Sequence, residues 1–279
     1  MRDNAVVANE RTGAGDPART LALLWRDRAA QSPRGPRRGL SVDAVIAAAT
    51  ELADRHGLGA LTMRAVAQAL GAAPMTLYTY VPGKAELIDL MLDAAYARMP
   101  RTETAGAPWR RRLTAVADDN RALFAAHPWA AAVSTARPTL GPGAIAKYDH
   151  ELSALEGLGL TDVAMDDCLT HLLTFVQASA RANAEAVALR ADTGLDDQQW
   201  WDAAGPLLAQ VLDPSAYPLA TRVGAAAGAA HGAAHDSDHA YRFGLARVLD
   251  GLSALIDTEP PIADPAGMVS RPAGSGTVT

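Results

Sequence analysis

Between residues 40 and 99, apolar positions recur at helical spacing in four short runs, each closed by glycine or proline. Val42, Val45, Ile46, Ala49, Leu52 and Ala53 follow the i, i+3, i+4, i+7 pattern of a helix with one buried face, and Ser41 stands where its cap belongs. Gly57 and Gly59 end that run, since glycine takes the left-handed conformation at a helix end at little cost. Thr62 caps a second helix with Ala65, Val66, Ala69 and Leu70 on its apolar side, and Gly71 closes it. Pro74 suits the first turn of a third helix, and Pro82 and Gly83 stop that helix after about two turns. Lys84, Glu86, Leu87, Leu90, Met91 and Ala94 begin a fourth and longer helix that runs to Met99.

Beyond a proline-bounded hinge at 100–108, helical periodicity returns at 109–126, 128–135, 142–157, 162–190, 196–211 and 238–257. Before residue 40, residues 1–15 read as disordered, Asp16-Pro17 caps a short helix reaching Trp25, and Gln31 to Gly39 is a Pro-rich extended linker. Residues 224–238, GAAAGAAHGAAHDSD, read as a low-complexity mobile loop. Alternating β-branched runs are absent, so an all-α fold is expected. Four parts follow: an Arg-bearing, partly disordered arm at 1–39, a three-helix helix-turn-helix domain with its connecting helix at 40–99, a second helical domain at 100–258, and a disordered tail at 259–279.

Charge sharpens this picture. The formal net charge of −6 argues against nucleic acid as a partner until it is divided along the chain. Residues 1–39 hold eight Arg against four acids, residues 40–84 balance three against three, and the remainder holds 14 bases against 24 acids. One end therefore attracts phosphate and the other repels it. A small helix pushed out of a compact domain at that positive end suits the DNA major groove. A single cysteine, Cys168, fits a reducing cytoplasm, and no apolar run is long enough for a signal core or a membrane span.

Thr62-Met-Arg64-Ala-Val-Ala67-Gln-Ala-Leu-Gly71, then Thr76-Leu-Tyr78-Thr-Tyr80-Val and Gly83-Lys84, resembles the DNA-binding domain of the tetracycline-repressor (TetR) family. Phe243-Gly-Leu-Ala-Arg-Val-Leu-Asp-Gly251 is similar to the last dimerisation helix of the subgroup nearest the tetracycline repressor itself. The resemblance covers roughly residues 40–257. It implies that Pro74, Met75, Thr76, Tyr78, Thr79 and Tyr80 lie on or beside the groove-facing surface, with Lys84 against the DNA backbone. Thr62 and Arg64, early in the second helix, join this set. Because so few cations stand there, the arginines Arg34, Arg37 and Arg38 are expected to supply phosphate or minor-groove contacts. A solvated linker is the alternative.

The same resemblance implies a small-molecule pocket in the second domain, lined by Val116, Asn120, Phe124, Trp129, Ser134, Arg137, Glu151, Leu169, Leu173 and Phe175. The family's metal-ligating His is missing at Ser134 and its neighbours, and Val116 and Asn120 stand where Asn and Phe are expected. A mostly apolar or aromatic ligand is therefore expected rather than magnesium-tetracycline, with no cofactor and no bound metal. Phe243, Leu245, Val248, Leu249, Leu252, Leu255 and Ile256 form a wide stripe for a homodimer, with Gly244 and Gly251 admitting a partner helix. His231, His235, Asp236, Asp238 and His239 invite a metal reading, against which stand the glycines among them. No glycine loop, nucleophile elbow, paired-cysteine or HExxH motif marks an enzyme. The expectation is a cytoplasmic, ligand-responsive repressor that binds palindromic operator DNA as a homodimer. An activator or global regulator without effector, or a DNA-anchored binding or enzymatic module, are the rivals.

Overall fold

The computed structural model describes residues 10–26, 40–232 and 236–256. Among them the chain is helical throughout: α1 (Pro17–Leu24), α2 (Val42–His56), a 3-10 turn (Leu58–Ala60), α3 (Met63–Ala69), α4 (Pro74–Leu77), α5 (Lys84–Arg98), α6 (Trp109–Ala126), α7 (Pro128–Ala132), α8 (Pro142–Ser153), α9 (Asp162–Thr193), α10 (Asp197–Val211), α11 (Pro218–His231) and α12 (Ser237–Ile256). The caps are where local chemistry puts them. Asp16, Ser41 and Thr62 side chains accept hydrogen bonds from Arg19, Ala44 and Ala65 amides, each satisfying a donor that the first helical turn leaves open.

Five expectations are corrected. The third helix, expected to run about two turns, is the four residues Pro74–Leu77. Residues 224–231 are not a loop but part of α11, because Ala225–Ala227 and Ala229–Ala230 supply helix propensity that outweighs two glycines. Residues 10–15 are not disordered: Thr12 N and Ser134 N exchange backbone hydrogen bonds with Ser134 O (3.0 Å) and Glu10 O (2.9 Å), pairing this segment with the chain beyond α7. The helix expected at 128–135 stops at Ala132, where the backbone turns extended to make that pairing. The helix expected at 142–157 ends at Ser153. Arg34, Arg37, Arg38, His235 and the tail at 259–279 lie outside the described residues.

α5 is the centre of the molecule. Every residue from Glu86 to Ala95 is buried, with α2, α8 and α1 packed around the helix. That burial includes three carboxylates at helical spacing, and their donors come from the N-terminal segment, the stretch before α8 and α8 itself. Glu86 Oε1 accepts from the Asp16 amide (3.2 Å). Asp89 accepts from the Gly13 amide (3.1 Å) and the Thr139 hydroxyl (3.3 Å). Asp93 accepts from the Ala144 amide (2.9 Å), capping the first turn of α8. The close approach of α8 requires Gly143, where a Cβ would sit 2.1 Å from the Asp93 carbonyl oxygen.

Burial pushes the Asp89 carboxyl above its ordinary value of 3.8, the Gly13 and Thr139 hydrogen bonds oppose that rise, and the nearby Glu86 charge adds to it. A raised carboxyl favours the neutral form in the fold, so the stability it contributes is full below the ordinary value and is lost as pH rises through the raised one. Asn cannot ionise. The stability of Asp89→Asn relative to wild type should therefore increase from about pH 4 to about pH 7 in urea unfolding, and a difference independent of pH would contradict this account.

Candidate functional site

The reading helix is exposed because so little of it is needed inside. Gly71, at φ +63°, turns the chain sharply after α3. Leu77 and Val81 are fully buried and pin the next segment, and the amides of Thr79, Tyr80 and Val81 bond back to Thr76 and Leu77 carbonyls to tighten its end. What remains faces outward: Met75 is 75% exposed, Tyr78 44%, and Pro74, Thr76 and Thr79 are exposed with them. Tyr80 differs, its ring half-buried against the core. Arg64 is exposed on α3, and Thr62 combines exposure with its capping role. Lys84 is engaged on two sides, donating to Leu58 O (3.3 Å) and pairing with Glu10 (2.5 Å).

A cavity of about 540 Å³ opens in the second domain, between α5, α8, α9 and the extended segment 133–140. α5 contributes Leu92 and Tyr96, the segment contributes Thr135 and Pro138 to Leu140, and α8 contributes Lys147, Tyr148 and Glu151. At its floor lies a buried polar network. Lys147 Nζ sits 2.7 Å from Glu151 Oε2, and Asn120 Nδ2 donates to Glu151 Oε1 (2.5 Å) and Val116 O (2.8 Å). Burial lowers the Lys147 ammonium, and the Glu151 carboxylate works against that shift. The Tyr96 phenol is held well above its ordinary value by burial and by Glu151, so it stays a neutral donor. At the rim, Tyr148 donates to Asp166 (2.8 Å).

Of the ten pocket residues expected from sequence, Glu151 and Leu173 line this cavity. Asn120 holds Glu151 from behind. Val116 and Leu169 are buried in the core. Phe124 faces a different hollow of about 590 Å³ between α6, α9 and α12. Phe175 stacks on Tyr241 (5.8 Å) and fills the space beside Gly244. Trp129 is at the joint with the reading domain, where its Nε1 and His127 Nδ1 both bond Asp54 of α2 (2.7 and 2.8 Å). Ser134 and Arg137 pair with the N-terminal segment, Arg137 donating to Gly13 O (3.1 Å). Tyr96, Lys147, Tyr148 and Gln177 were not singled out from sequence. Lys147 and Glu151 carry a signal there, their i, i+4 spacing, but the same spacing marks ordinary solvated pairs.

The α12 stripe divides. Leu245, Leu249 and Leu252 are buried against α6 and α9, and Val248 and Ile256 pack beside them. Phe243 and Leu255 remain exposed. Gly244 serves the chain itself, since a Cβ there would meet the Phe175 ring at 2.4 Å, whereas Gly251 has open space. Among the described residues no group of three or more His, Cys, Asp or Glu is placed to hold a metal.

A bare reading helix behind a tight turn, joined by one buried helix to a domain with a cavity, defines a helix-turn-helix regulator. Residues 45–91 match the family model for bacterial regulatory proteins of the tetR family, and residues 100–256 match the tetracyclin repressor-like C-terminal domain. The chain is 39% identical over 250 residues to the HTH-type transcriptional repressor DrrR1 of Streptomyces coeruleorubidus, covering 89% of this chain and 90% of that one. It is 26% identical over 230 residues to the class E tetracycline repressor protein of Escherichia coli, covering 81% and 97%. The crystal structure of Streptomyces coelicolor ActR in complex with actinorhodin superposes with a TM-score of 0.64 at 25% identity, over 78% of this chain and 97% of that one. The chain belongs to the TetR family of transcriptional regulators.

Removing Glu151 would leave the buried Lys147 without its counter-ion and Asn120 with the Val116 carbonyl as its remaining acceptor. Glu151→Ala should cost about 3–5 kcal/mol in urea unfolding, and a Lys147→Met/Glu151→Leu double variant should recover most of that loss. A loss below about 1 kcal/mol for Glu151→Ala would show that the network is solvated rather than buried.

Proposed function

We propose that this chain is a cytoplasmic homodimeric repressor that binds a palindromic operator and is released by a small effector. The observation that carries this reading is the span of α5. Lys84 at its first turn abuts the reading domain, and Tyr96, about 18 Å further along the axis, lines the cavity. A ligand touching Tyr96, Thr139 or Lys147 bears directly on the element that orients α4. The ligand must favour the setting of α5 that DNA rejects, since equal affinity for both settings would change nothing.

The cavity suits a compact, mostly apolar or aromatic molecule with at least one hydrogen-bond acceptor. Tyr96 and Tyr148 supply ring faces, and Lys147 and the neutral Tyr96 hydroxyl supply donors. A cavity of this size favours an effector-responsive protein over a global regulator without one. Actinorhodin, which ActR holds, is the first probe to try. The chain is read as acting by binding without turnover.

Dimerisation is supported by apolar surface that the single chain leaves uncovered. Phe243 and Leu255 on α12 are joined by Val187 on α9, Trp200, Leu207 and Val211 on α10, and Leu219 and Val223 on α11. A two-fold pair built on α9 and α12 would hold its reading helices about 34–36 Å apart, one turn of DNA. Among the described residues no helix is long and apolar enough to cross a membrane.

Selection of bound duplexes from a random library tests the reading. The enriched sequence should hold two inverted half-sites, and Met75→Ala/Tyr78→Ala should weaken its binding by about tenfold or more. Failure to enrich any duplex, or an enriched site without symmetry, would contradict the proposal.

A further inference from the structure

The segment before α2 joins both halves of the molecule. At one end Glu10 pairs with Lys84 (2.5 Å) at the head of α5, beside the reading helix. Residues 10–13 then run along the cavity wall: Ser134 N donates to Glu10 O (2.9 Å), Thr12 N to Ser134 O (3.0 Å), and the Thr12 hydroxyl to Arg137 O. Arg137 returns a bond to Gly13 O (3.1 Å), and the Gly13 amide donates to Asp89 of α5 (3.1 Å). Past α1, Trp25 Nε1 donates to Leu140 O (2.8 Å) and Arg26 pairs with Asp43 of α2. Segment 134–140 thus has the cavity on one flank, through Thr135 and Pro138 to Leu140, and the N-terminal segment on the other.

We propose that residues 10–26 form an autoinhibitory strap, in which Glu10 occupies Lys84 in place of an operator phosphate for as long as residues 10–13 stay paired with 134–137. This rests on the repressor reading above and adds a means of regulation to it. The chemistry is competition for one ammonium. A carboxylate held beside Lys84 at the first turn of a 15-residue helix stands where an anion is favoured, and it repels a second one. The cost to DNA binding is large because cations are few. Residues 40–84 hold Arg55, Arg64 and Lys84, and of these Arg55 is already paired with Glu51 and Lys84 with Glu10. A phosphate contact by Lys84 therefore displaces Glu10. An effector that firms the 134–140 wall keeps Glu10 in place and opposes DNA from a distance, with no contact to the reading helix.

The test is a double-mutant cycle on the full-length protein, with the duplex enriched from a random library by the wild type as the probe. Glu10→Gln keeps the size and removes the charge, and it should tighten binding at low salt by about three- to tenfold. Its plot of log affinity against log salt should steepen, by at most about 0.9 per protomer, because no carboxylate is left to repel the phosphate that Lys84 meets. On a Lys84→Gln background the same change should do little. Unchanged or weaker binding by Glu10→Gln would overturn the strap. So would an equal gain with and without Lys84, which would reduce the effect to net charge. If a duplex is enriched and Glu10→Gln fails these tests, the strap falls and the repressor reading stands; if no duplex is enriched, both fall.

Discussion

Three carboxylates on one buried helix hold the rest of this molecule in register. Glu86, Asp89 and Asp93 of α5 are each buried, and a buried carboxylate is costly unless hydrogen-bond donors replace its water. Here the donors come from three separate places: the Gly13 and Asp16 amides of the N-terminal segment, the Thr139 hydroxyl of the cavity wall, and the Ala144 amide at the start of α8. Apolar packing is non-directional. These hydrogen bonds are directional, so α5 is tied to the N-terminal segment, the cavity wall and α8 together. Moving any one of these against α5 leaves a buried oxygen or amide unpaired.

That arrangement also ties the cavity wall to α5, the helix that follows α4. The wall segment 134–140 bonds to α5 through Thr139 and to the N-terminal segment through Ser134, Arg137 and Leu140. Just before it, Gln177 and Arg181 of α9 hold the Ala131 carbonyl, and Gln177 also holds that of Val133. α7 in turn presents Trp129 to Asp54 of α2, with His127 beside it. Three links therefore connect the domains: α5, Asp54, and the N-terminal segment through its Arg26–Asp43 and Glu10–Lys84 pairs. Packed helices and hydrogen-bond networks of this kind are one physical form that coupling between distant sites takes.

Local chemistry made the reading domain legible from sequence. Ser41 and Thr62 cap, Gly71 turns, and Leu77 and Val81 alternate with exposed neighbours, all within a few residues of one another. The all-α class was equally plain, and the family was identified from motifs in the same stretch. The cavity was less so. Tyr96 and Lys147 read as ordinary helix residues because their burial depends on elements 30 or more residues away, and Phe124 and Phe175 read as pocket walls because one period fits both faces of a helix. Residues 10–15 were the hardest. A short polar, glycine-bearing stretch has no apolar reason to be ordered, and its acceptors on α5 lie some 70 positions further along. The carboxylates of α5 are silent for the same reason: acids at i, i+3 and i+7 describe a solvated face unless the donors are known.

Hydrogen exchange with and without the enriched duplex measures the coupling most directly. Gly13 and Ala144, both outside residues 74–80, donate their amides to Asp89 and Asp93 of α5. If α5 links the two domains, operator concentrations that protect residues 74–80 must also change the exchange rates of those two amides. Protection of 74–80 with the Gly13 and Ala144 rates unaltered would mean that the reading helix binds DNA independently of α5, and the account would be contradicted.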